Sequence, residues 1–156
     1  MRITALFCII FFSMSSGIAQ NYNINAYNFH QSIVEAQQNI GKEVFYFNES
    51  ATELNLKILK FELNKSIQFI DSLEVYNNET TYHNAAKKLF ALYKDLTENE
   101  YQQLLNIIED PELEFKDFKV KKQKIFDGMK QKMAKVYPDF NTAQEAFCKK
   151  YGLKLD

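Results

Sequence analysis

Large apolar side chains recur at alternating steps of three and four along most of this chain, and the longest such run lies near its end. Phe118, Lys122, Ile125, Met129, Met133, Val136, Phe140, Ala143, Phe147 and Tyr151 keep the rhythm, with Lys122 as the one charged break. At 3.6 residues per turn these positions share one face, so the spacing predicts a core-facing helix over 115–151. Pro138 falls inside it, where proline removes a backbone hydrogen bond and crowds the preceding turn. The beat stays in phase across Pro138, which predicts one continuous, kinked helix about 55 Å long rather than two short ones. Gly152 follows as its left-handed stop.

Three earlier stretches carry the same period. Phe29, Ile33, Ala36, Ile40, Val44 and Phe47 predict a helix over 26–48. Ser50 and Glu53 have the spacing of a capping box and predict a new helix from Ala51 to Tyr76. Its apolar residues fall on two stripes, one of Leu54, Ile58 and Phe61 and one of Leu56, Leu59, Leu63, Ile67 and Ile70. Two stripes predict contact with two neighbours. Thr80 or Thr81 is the expected cap of a third helix over 81–109, whose seam is Ala85, Leu89, Leu92 and Leu96 and which Pro111 closes. Strand-type alternation is absent from the sequence. Four amphipathic stripes joined by short polar links predict an all-α, antiparallel up-down-up-down four-helix bundle, its fourth helix the longest.

The first nineteen residues stand outside this pattern. Arg2, the apolar run Ile3 to Phe12 and the small-residue site at Gly17-Ile18-Ala19 read as a signal peptide cleaved between Ala19 and Gln20. That run is too short to span a bilayer and no later one is longer, so a transmembrane anchor is not expected. Phe7 before Cys8 disfavours lipid attachment, because a lipid-accepting cysteine follows a small residue. Export points to the periplasm or the cell surface, where the remaining chain of about 137 residues forms one domain. It keeps one cysteine, Cys148, so packing alone holds the fold. Eighteen lysines then face 20 carboxylates and no arginine remains. Nucleic acid is not an expected partner, since neither a basic field nor guanidinium forks are present.

Three segments, Ala85-Ala86-Lys87-Lys88-Leu89-Phe90-Ala91-Leu92-Tyr93-Lys94, Glu98-Asn99-Glu100-Tyr101 and Ala143-Gln144-Glu145-Ala146-Phe147-Cys148-Lys149-Lys150-Tyr151-Gly152, resemble a family of small exported bacterial proteins named after a leptospiral surface protein. The resemblance implies export and a helical fold, and carries no catalytic residue. Pro138 and Cys148 depart from it.

No catalytic constellation or metal site is expected. Glu-x-x-His pairs for a di-iron site and Cys-x-x-Cys-His for covalent haem are both missing from the sequence. A carrier or sensor that holds a small hydrophobic ligand or haem between the helices is the alternative, with His30 or His83 opposite Met129 or Met133; the plainer reading makes the methionines gap fillers. His83 and Cys148 sit on different predicted helices, so a nucleophilic Cys–His pair is geometrically possible, though only the presence of both residue types supports it. By itself Cys148 is a candidate intermolecular or redox thiol, against the plainer reading of an inert flanking residue. Finally, Lys116, Lys119, Lys121, Lys124 and Lys132 crowd the first half of the last helix. They predict a surface for a protein, glycan or membrane partner, against the plainer reading of a solvated face balanced by Glu109, Asp110, Glu112, Glu114 and Asp117. The leading expectation is a non-enzymatic exported bundle acting through its surface.

Overall fold

The computed structural model describes residues 23–154; the expected Ala19–Gln20 cleavage junction and Cys8 lie outside them. The elements are α1 (Ile24–Glu49), α2 (Glu53–Ser72), a 3-10 turn (Tyr76–Asn78), α3 (Thr80–Leu96), a π turn (Thr97–Tyr101), α4 (Gln102–Glu109) and α5 (Phe115–Tyr151). Because α3, the π turn and α4 follow without a break, the described residues form four helical rods and no strand. No described helix is long and apolar enough to cross a membrane.

Local chemistry explains the ends. Asn23 accepts hydrogen bonds from the amides of Asn25 and Ala26 and so starts α1. At α2 the expected Ser50–Glu53 box does not form. Thr52 is the cap instead, its Oγ1 accepting from Asn55 N at 3.2 Å, while Asn55 Nδ2 ties back to the Ser50 carbonyl at 2.7 Å. Helix α2 also stops at Ser72, short of Tyr76. Leu73 is extended, and Asn77 and Asn78 take left-handed conformations with φ of 49° and 60°, which asparagine tolerates better than most residues. At α3 the helix begins with Thr80 itself. The preceding Glu79 makes no cap and turns its carboxylate to Lys150 Nζ and to the Tyr151 hydroxyl at 3.0 Å. Helix α5 runs unbroken through Pro138 and ends as Gly152 takes φ 68°, with Leu153 N bonded to the Cys148 carbonyl at 2.8 Å.

Helix α1 packs on α2, α2 on α3, α3 on α5 and α4 on α5. The core draws Phe29, Ile33, Ile40 and Phe47 from α1, Leu56, Leu59, Leu63 and Ile70 from α2, and Leu89, Phe90 and Leu96 from α3. Phe140 and Phe147 come from α5. Each fully buried Leu or Phe contributes about 1.5–3 kcal/mol of hydrophobic stabilisation. The two stripes of α2 part company here. The second is buried, apart from half-buried Ile67, but Leu54 is 66% exposed, Phe61 70% and Ile58 41%, so the first has no neighbour among the described residues. Lys122, the charged break in the α5 stripe, is accommodated with its ammonium 5.9 Å from the Phe118 ring centroid and 5.5 Å from that of Phe126.

Candidate functional site

Three clusters gather the groups that the sequence singles out as candidates for function. The first is the leading half of α5. Lys116, Lys119, Lys121 and Lys124 are exposed, and no ion pair joins any of them to the acidic residues just upstream. Phe115 and Val120 lie exposed among them at 62% and 63%, and Lys119 Nζ sits 4.3 Å from the Phe115 ring centroid. Helical spacing and the lack of a covering element among the described residues produce this face. Lys132 is the exception in the predicted set. Its ammonium is held by Asp95 at 2.6 Å and by Glu100 at 2.7 Å, so its charge is already engaged within the fold.

That ion-pair triad is the second cluster, and the π turn builds it. Leu96, Glu100 and Leu104, like Thr97, Tyr101 and Leu105, run at steps of four. An α-helix would rotate such a row by about 40° per step off the core, and one wider turn absorbs the drift. Its loosened carbonyls find side-chain donors: Thr97 Oγ1 donates to the Tyr93 carbonyl at 2.8 Å and Asn99 Nδ2 to the Asp95 carbonyl at 3.0 Å. Glu100 is thereby turned inward, its side chain only 10% exposed. Both carboxylates hold the proton on Lys132 and push its pKa up. Asp95 and Lys132 are partly solvated, so their pair contributes little, whereas Glu100 stranded without a cation is costly. Lys132→Ala is expected to lower the unfolding free energy by about 2 kcal/mol, and Lys132→Ala combined with Glu100→Gln to recover part of it, in urea titrations.

The third cluster is buried between α1, α3 and α5. His30 Nδ1 lies 3.0 Å from the Tyr82 hydroxyl, and Cys148 Sγ is 3.9 Å from both ring nitrogens of His30. A His83–Cys148 pair is not formed, because His83 Nε2 donates to the Ile70 carbonyl at 2.7 Å. Equal distances set the sulfur across the His30 ring and not in line with one nitrogen lone pair, a poor arrangement for proton transfer. Burial pushes the Cys148 thiol up to about 11 and lowers His30 to about 4, so both are neutral near pH 7. With 1% exposure, Cys148 cannot meet a second cysteine while the fold is closed, which corrects its reading as an intermolecular thiol. In the chain from Gln20 to Asp156, aromatic reagents that report free thiols are expected to leave native Cys148 unmodified and to titrate one thiol per chain in denaturant. Fast native modification would contradict the closed site.

Tyr82 is the residue that sequence reasoning missed. It is 1% exposed and its ring meets Phe29, His30, Phe140 and Phe147 at centroid distances of 6.1, 5.9, 5.7 and 5.2 Å. A second hydroxyl pair, Tyr93 to Tyr137 at 2.8 Å, takes a hydrogen bond from Gln37 Nε2 at 3.3 Å and further joins α1, α3 and α5. Each histidine offered as a haem ligand therefore has a structural partner, and Met129 and half-buried Met133 belong to the core. Among the described residues no group of three or more His, Cys, Asp or Glu is placed to hold a metal ion. Comparison with known proteins finds no family model, curated protein or solved structure that matches this chain.

Proposed function

We propose that the protein is exported, loses its leader between Ala19 and Gln20, and works in the periplasm or at the cell exterior as a non-enzymatic binding module. Its four rods form an up-down-up-down bundle bent at Pro138, and its working surface is the lysine face of α5, directed at an anionic partner. The up-down order is supported by ties between opposite ends of neighbouring rods. Asp71 pairs with Lys87 and Ile70 with His83 across α2 and α3, and Glu79 pairs with Lys150 across α3 and α5. Export is supported by the leader pattern and by the resemblance to exported bacterial surface proteins. A role without catalysis is supported by the forms in which the reactive groups are held, a protonated thiol and a neutral histidine inside the core.

One observation carries the surface reading: four ammonium groups without acidic partners stand beside exposed Phe115 and Val120. Unpaired lysines interleaved with apolar side chains suit a surface that is both anionic and partly apolar. The export half of the proposal is tested by recovering the protein from envelope and culture-fluid fractions of its host and measuring the intact mass. A chain beginning at Gln20 outside the cytoplasm is expected, and a full-length chain confined to the cytoplasm overturns it.

A further inference from the structure

A groove of about 430 Å³ opens between α4 with the π turn on one side and α5 on the other. That volume lies within the range of small-molecule sites. Ile107 and Ile125 form apolar floor, and Gly128 lowers it further. This glycine has no helical reason to be there. Glycine in a helix interior is unfavourable relative to alanine, its φ is not positive, and a Cβ would meet nothing nearer than Glu100 Oε1 at 4.0 Å. Packing would accept a side chain, yet the position is left open, and a second hollow on α5 shares Gly128 and Lys124.

The polar lining is asymmetric. Lys121 and Lys124, one turn apart, carry ammonium groups with no hydrogen-bond or ion-pair partner, and Gln103 on α4 has an equally unengaged amide. At the other end Glu100 is already occupied by Lys132 through both oxygens, at 2.7 and 3.0 Å, so it offers no free cation and repels added negative charge. The groove thus presents two free cations at one end and, beyond Lys124, about 6 Å of apolar floor leading to Gly128, four residues on at about 1.5 Å each. We propose that it binds an aliphatic monocarboxylate, with the carboxylate between Lys121 and Lys124 and the chain lying over Ile125 and Ile107 towards Gly128. A single negative charge fits better than a phosphate dianion because Glu100 closes the far end with a carboxylate. This turns the carrier alternative from the bundle interior to its surface. It stands apart from attachment to an anionic surface, although the two share Lys121 and Lys124.

The test is a titration of the isotope-labelled chain from Gln20 to Asp156 with decanoate below its micelle concentration, followed by amide NMR. Acetate and decyltrimethylammonium serve as head-only and opposite-charge controls. Decanoate is expected to shift amides clustered at Gln103, Ile107, Lys124 and Gly128, and the controls to leave them in place. Lys121→Ala with Lys124→Ala, both at exposed positions, should weaken binding tenfold or more, as should Gly128→Leu with an unchanged circular dichroism spectrum. If Gly128→Leu does not fold, the lysine pair decides. Equal binding of the cationic detergent, shifts scattered over the exposed α2 stripe, or affinity unmoved by the lysine changes overturns the proposal. Loss of decanoate binding in a chain that still binds anionic vesicles refutes the groove alone, and vesicle binding lost while decanoate binding persists refutes the surface reading alone.

Discussion

Tyr82→Ala is expected to be the most damaging single truncation discussed for this protein, lowering the unfolding free energy by about 4 kcal/mol. The side chain is buried, and it stands where α1, α3 and α5 meet: His30 and Phe29 belong to α1, Phe140 and Phe147 to α5. Removing the ring leaves a cavity that three rods would have to close together, so relaxation recovers little. Tyr82→Phe separates the ring from its hydroxyl. It keeps the packing and leaves His30 Nδ1 without its 3.0 Å partner, and should cost about 1–2 kcal/mol. Paired urea melts of the two variants measure both terms. Equal losses would mean that the hydroxyl, and not the ring, holds this junction.

The second large effect is a dependence on pH centred on His30. Its folded-state pKa is lowered from 6.5 to about 4 because burial disfavours the imidazolium. Its nearest titratable neighbours, Tyr82 and Cys148, are both pushed upwards by burial, so neither supplies a counter-charge. In the unfolded chain the ring takes up a proton near pH 6.5, while in the folded chain it resists until about pH 4. Between those limits the unfolded state binds more protons. Stability is therefore fully present above pH 6.5 and declines as the pH falls towards 4. The decline is about 2 kcal/mol between pH 7 and pH 5 and about 3 kcal/mol over the whole window. Measured at both pH values, His30→Phe should lack this part of the slope. A variant with the same slope as the wild type would assign the acid sensitivity to other groups.

Periodicity made the four rods legible, because the steps of three and four that define an apolar face survive in a single sequence. The beat across Pro138 was informative for the same reason: Phe140 and Phe147 are buried on the far side of the proline, as phase required. Ends were less legible. Ser50 and Thr52 are both acceptable caps, and the choice of Thr52 depends on the backbone of the whole loop. The π turn left a trace in the runs of four from Leu96 and Thr97, but such runs also occur in broad helical faces. The chemistry of the site was hidden for a different reason. Spacing can say that His83 and Cys148 occupy different helices, yet only packing decides that His30 is the histidine beside the thiol. In the same way Lys132 and its neighbours look alike in sequence. Their difference comes from Glu100, which the π turn rotates inward.

The exposed lysines of α5 bear the central claim, and their binding to charged surfaces is its most direct measure. Sedimentation of the chain from Gln20 to Asp156 with vesicles of anionic lipid, and in parallel with neutral vesicles and a carboxylated glycan, reads that binding at low and physiological salt. Binding confined to the anionic surfaces, weakened by salt and reduced tenfold or more when Lys116, Lys119, Lys121 and Lys124 are replaced by glutamate, is the predicted result. Binding that ignores salt and persists in the glutamate variant, or no binding to any anionic surface, would contradict it.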